Sequence, residues 1–71
     1  MRPANGRYTA QDGDMRVENK GLERDIAERA NGKWIFRKTI HWRLASELLP
    51  TSVYQRVGVR GITTYWRKVV R

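Results

Sequence analysis

The 71 residues hold 15 Lys and Arg against seven Asp and Glu, with one histidine and no cysteine, for a formal net charge of +8. That length makes one small domain with a thin stability margin, and the missing cysteine excludes disulfides and cysteine-ligated zinc. One histidine excludes a histidine-rich metal site, and no run approaches the roughly 18 apolar residues of a membrane span.

Residues 1–6, MRPANG, read as a flexible tail punctuated by Pro3 and Gly6, and residues 7–71 as a single small basic domain. The polar N-terminal stretch lacks the apolar segment of a secretory signal, so a soluble cytoplasmic protein is expected. In RYTAQDGDMRVEN, the Asp12-Gly13 pair signals a hairpin that sets Tyr8 and Thr9 against Met15 and Val17. GLERDIAERANG reads as a helix. Leu22, Ile26 and Ala30 form one narrow apolar stripe, acids come early and a base late, and Asn31-Gly32 supplies a C-terminal stop.

From Lys33 the pattern changes. The even positions Trp34, Phe36, Lys38, Ile40, Trp42 and Leu44 are apolar but for Lys38, and the odd positions Ile35, Arg37, Thr39, His41 and Arg43 are polar or basic but for Ile35. Period-two alternation in a β-branched and aromatic run predicts a half-buried strand, with Trp34 and Trp42 in the core. A short helix or loop follows at 45–51, stopped by Pro50. Two more strands fill 52–70, turning at Arg60-Gly61. The expected fold class is α+β: an antiparallel sheet made of an N-terminal hairpin plus three C-terminal strands, with one helix packed on it.

SVYQRVGVRGITTYWRKV also resembles the helix-turn-helix units of bacterial and phage repressors, with Gly58-Val59 as the turn pair and Val53 and Val57 at apolar positions. That resemblance implies two helices and a recognition helix in the DNA major groove. Tyr54 stands where the family has a small residue, Thr64 and Arg67 where it has apolar ones, and Gly61 near the start of the second helix.

The charge is one-sided. Residues 1–28 hold five bases and six acids, whereas residues 29–71 hold ten bases and one acid, Glu47. A one-sided basic field points to a polyanion, and first to nucleic acid, DNA ahead of RNA. The expected contacts are phosphate neutralisation by Arg37, Lys38, Arg43, Arg56, Arg60, Arg67, Lys68 and Arg71. Tyr65 or Trp66, on opposite faces of one strand, would add base stacking. The function expected is a small non-enzymatic regulatory or architectural factor, of a size that suits transcription regulation or a phage or mobile-element accessory role. It needs no cofactor or metal. Open sheet edges and a small core favour a homodimer.

Two other readings stand beside it. A small basic module can clamp an acidic host protein. His41, with arginines holding a phosphate, can serve as general acid or base in a small ribonuclease.

Overall fold

Three two-residue loops set the architecture of the computed structural model, which describes residues 8–70. The expected tail at residues 1–6 lies outside the described residues, as do Arg7 and Arg71. The elements run β1 (Met15–Lys20), β2 (Glu23–Ala30), β3 (Lys33–His41), a 3-10 turn at Trp42–Leu44, α1 (Ala45–Leu48), β4 (Tyr54–Arg60) and β5 (Thr63–Lys68). The five strands form one antiparallel sheet in the order β3-β2-β1-β5-β4. With its one short helix this is a small α+β domain, as the sequence predicts. No helix of the described residues is long and apolar enough to cross a membrane.

The helix expected over 21–32 is not one: Glu23–Ala30 is β2, hydrogen-bonded on both edges to β1 and β3. Its Ala, Glu and Arg content favours a helix, but a helix here would offer a core only the narrow stripe of Leu22, Ile26 and Ala30. Pairing on both sides satisfies the whole backbone ladder instead. The Asn31-Gly32 pair read as a helix stop is a hairpin loop. Asn31 and Gly32 have φ of 54° and 75°, the double left-handed turn that matches strand twist. Gly21-Leu22 and Gly61-Ile62 make the other two loops. Each has only its glycine at positive φ, which puts Leu22 in a loop rather than on a helix stripe.

The N-terminal hairpin is also revised. Asp12-Gly13 does turn the chain, and the Gly13 N–H reaches Arg29 O at 2.8 Å. Residues 8–10 form no strand, however, and β1 pairs with β2 and β5. Asp12 instead accepts the N–H groups of Asn31 and Gly32 at 3.1 and 3.0 Å, which ties the turn to the β2–β3 loop.

β3 is the expected strand, β4 and β5 are strands, and α1 stops short of Pro50. The helix-turn-helix resemblance is therefore overturned. β-branched Val57, Val59, Thr63 and Thr64 sit in paired strands, and Gly61 closes the hairpin between them.

One sheet face carries the core. Val17, Ile26 and Leu49 are buried together, with Met15, Ile40, Leu48, Tyr54 and Trp66 packed around them. β3 does not lay all its apolar residues there. Lys38 pairs with Ile26 and Phe36 with Ala27, so Arg37 is an extra residue, a β-bulge. Beyond the bulge the alternation flips. Ile40 faces α1, whereas Trp34 and Phe36 lie on the opposite face. Trp42 has left the sheet for the 3-10 turn and is 44% exposed, so it is not core.

Candidate nucleic-acid interface

The face away from α1 is built on small residues. Register places Phe36, Ala27, Arg16, Tyr65 and Gly58 in one row across all five strands. Ala27 is buried, and a Cβ on Gly58 would lie 2.8 Å from the Cβ and Cγ of Tyr8. Those two gaps in side-chain height let large rings lie down on the sheet. Trp34 comes from β3 and Tyr65 from β5, strands whose axes lie roughly 14 Å apart. Their ring centres are nevertheless 5.7 Å apart, so both side chains lean inward over the strands between. Tyr8 stacks on Tyr65 at 4.4 Å with an interplanar angle of 19°. The guanidinium carbons of Arg16 and Arg29 lie 5.1 and 5.4 Å from the Trp34 ring centre.

One carboxylate anchors this layer. Asp14 is 1% exposed. It accepts Arg67 Nε–H at 2.8 Å and Nη2–H at 2.9 Å, the Tyr8 hydroxyl at 2.6 Å and the Gln11 N–H at 3.0 Å. Burial alone would raise its carboxyl, but the hydrogen bonds from Arg67, Tyr8 and Gln11, with the Arg67 charge, hold it below the usual carboxylate range. Arg67 also donates to Thr9 O at 3.0 Å and is itself held more basic by Asp14. It is therefore the strut that fixes residues 8–14 on the sheet, and its charge is answered inside the protein.

The expected basic wall is divided between two faces. Arg60 and Tyr65 lie on the face opposite α1, as does Arg67. Lys38, Arg56, Trp66 and Lys68 lie on the α1 side, because a second bulge at Val57 separates Arg56 from Arg60. Arg37, at the first bulge, pairs with Glu28 at 3.2 Å. Arg43 sits in the 3-10 turn, its guanidinium 5.5 Å from the Trp42 ring centre. Of the two stacking candidates, Trp66 packs on the core and donates its indole N–H to Thr64 at 2.9 Å, and Tyr65 lies against Tyr8. Neither ring is free; the exposed ring on that face is Phe36, at 60%. Arg71 falls outside the described residues.

Sequence reasoning missed Arg16, Arg29, Trp34 and Tyr8 as members of a site, because the first two fall in or beside the acid-rich half. Among the described residues, ion pairs join Lys20 to Asp25, Arg37 to Glu28 and Arg67 to Asp14. Arg16 and Arg29 have an aromatic ring for a partner and no carboxylate among those residues, so their forked N–H donors remain for a ligand. Lys33, Lys38, Arg56, Arg60 and Lys68 are likewise outside any ion pair among the described residues.

His41 has a local task. Its Nδ1 accepts the Arg43 N–H at 3.2 Å and caps the 3-10 turn, with its ring beside Trp42. No carboxylate hydrogen-bonds to it among the described residues, and no group of three His, Asp or Glu side chains among them is placed to hold a metal ion. Comparison of the chain with protein-family models, with curated proteins and with solved structures returns no match.

Proposed function

We propose that this protein is a non-enzymatic nucleic-acid-binding module, a small regulatory or architectural factor acting on DNA in the cytoplasm. The observation that carries the proposal is the pair Arg16 and Arg29. Both guanidinium groups are held over Trp34 rather than over a carboxylate, on a sheet face where Phe36 adds exposed aromatic surface. A ring orients a guanidinium without neutralising it, so the full charge stays available to phosphate. Arg60 adds a cation to the same face. Lys38, Arg56 and Lys68 give the α1 side its own positive field, which steers a polyanion toward the molecule over a Debye length.

The test is a binding titration with labelled single-stranded DNA, duplex DNA and RNA at several salt concentrations, with heparin as a polyanion control. Saturable binding whose log affinity falls linearly with log salt supports the proposal. Replacing Arg16 and Arg29 together by alanine should reduce that slope by roughly two units, one for each phosphate no longer neutralised. Weak binding that heparin matches would sink it.

A second reading, docking on an acidic protein, is favoured by one observation. β3 is a nine-residue edge strand with Ile35 and Phe36 exposed and Lys33, Arg37 and Lys38 along it. Tight one-to-one binding to a protein at moderate salt, without saturable nucleic-acid binding, is the pattern that would select it.

A further inference from the structure

The face opposite α1 has one ring that stands mostly in solvent, Phe36. Trp34 and Tyr65 lean inward and are roofed by Arg16, Arg29 and Tyr8, but Phe36 stands at the sheet edge, 60% exposed. The bulge at Arg37 puts it there, away from the core that takes Ile40. A phenylalanine left in water forgoes most of the gain that burying it would bring. It also carries no donor or acceptor, so it cannot read a base edge or hold a phosphate. What a bare ring offers is a flat apolar platform.

Register puts Phe36 two strands from Arg16, roughly 10 Å between their backbones, with Ala27 low between them. One short ligand that carries a planar aromatic group and an anionic group could therefore lie on Phe36 and reach the guanidinium groups beside Trp34. Nucleotides in a strand have this composition. In a duplex each base is already stacked on both sides, whereas an unpaired strand presents bare base faces.

Resting on the nucleic-acid reading above, we infer that the ligand of this face is a single strand: one base stacks on Phe36, and the adjoining phosphates lie on Arg16 and Arg29. Stacking on Phe36 is indifferent to base identity, so the preference is for strandedness over sequence. The Arg16 and Arg29 contacts make the affinity salt-dependent.

The experiment compares the full chain with its Phe36→Ala and Phe36→Trp variants. The probes are a single-stranded oligodeoxynucleotide of about 12 nucleotides, within the span of one small sheet domain, its RNA counterpart, the matching DNA duplex and heparin. Because Phe36 is exposed and outside the core, the variants should keep the parent's melting temperature and circular dichroism. The inference expects single strand to bind more tightly than duplex. Phe36→Ala should lose about tenfold or more on the single strand, Phe36→Trp should keep or gain affinity, and heparin binding should not change. A stronger effect on the DNA or on the RNA strand identifies which of the two the face takes.

Equal binding of single strand and duplex, with Phe36→Ala neutral, overturns the inference while the salt-dependent nucleic-acid reading stands. Absence of saturable binding to every nucleic acid overturns both. Sedimentation run alongside gives a further contrary outcome. A dimer that Phe36→Ala dissociates, with oligonucleotide affinity unmoved, would assign the ring to a second copy of the chain.

Discussion

Replacing Arg67 by methionine keeps most of the side chain's length and removes its charge, which leaves Asp14 in the protein without its cation. Asp14 is 1% exposed and accepts two of its four hydrogen bonds from Arg67. Removing one partner of a buried ion pair costs about 3–5 kcal/mol. The Tyr8 hydroxyl and the Gln11 N–H remain, so the lower end, about 3 kcal/mol, applies. A chain of this length has a total stability of roughly 4–11 kcal/mol, and each kcal/mol moves the melting temperature by about 4–8 °C. Arg67→Met should therefore melt about 12–24 °C below the parent at pH 7. The pH dependence supplies the sharper check. In the parent the Asp14 carboxyl lies below its unfolded value, so its contribution is fully present above the ordinary carboxylate range near ~4 and is lost as pH falls through the folded value. Without Arg67, burial is opposed only by the two remaining hydrogen bonds, and Asp14 takes up a proton more readily. The gap between parent and variant should then shrink as the pH is lowered from 7 to 3, read by thermal or urea unfolding. A loss under about 1 kcal/mol at pH 7, with a gap that does not move with pH, would refute the buried-strut account.

Gly58→Ala should destabilise by about 1–3 kcal/mol and shift the near-ultraviolet signal of the tyrosines. Its new Cβ falls 2.8 Å from Tyr8 and forces Tyr8 off Tyr65, against the slight gain glycine-to-alanine changes usually give. Gly32→Ala should cost about 1 kcal/mol in urea unfolding, because φ of 75° strains any side chain there. Ile26→Ala removes the centre of a small core and should cost about 2–5 kcal/mol, enough to leave a measurable unfolded fraction in amide exchange. The Tyr8 phenol is pushed above its ordinary value by burial and by the hydrogen bond it donates to Asp14. Its contribution is present below pH ~10 and lost as pH rises beyond it, and Tyr8→Phe should remove that alkaline loss of urea stability.

Strand β3, the β4–β5 hairpin and α1 are legible in the sequence because their signals are local: alternation, β-branching, a glycine turn and a proline stop. β2 is not, because Asn-Gly has two uses. It ends helices, and it closes two-residue hairpins, and only the flanking pattern separates them. The deciding signal is spacing. Gly13, Gly21 and Gly32 recur at intervals of 8 and 11 residues, a strand meander's rhythm rather than a helix's. The bulges at Arg37 and Val57 leave no mark in composition, and each reverses which face the following residues take. That is why the aromatic half of β3 parts from Ile40, and why the basic residues of β4 divide. The site's cations escape a sequence reading for a related reason. Charge is counted by segment there, whereas ion pairing is decided across strands: Arg67 finds Asp14, 53 positions away, and Arg16 finds a ring.

The order β3-β2-β1-β5-β4 also has a kinetic consequence. The meander β1–β2–β3 and the hairpin β4–β5 each close through two-residue loops, events of about 1–10 μs. The β1–β5 seam is the one strand pairing that joins them among the described residues, residues 15–18 with 63–66, and the loop it closes carries everything between those two strands. The slow event in folding should be the docking of two preformed pieces along that seam. Substitutions at Val17 or Thr64 should then slow folding, whereas changes at the Asn31-Gly32 tip should act mainly through the stability of one piece.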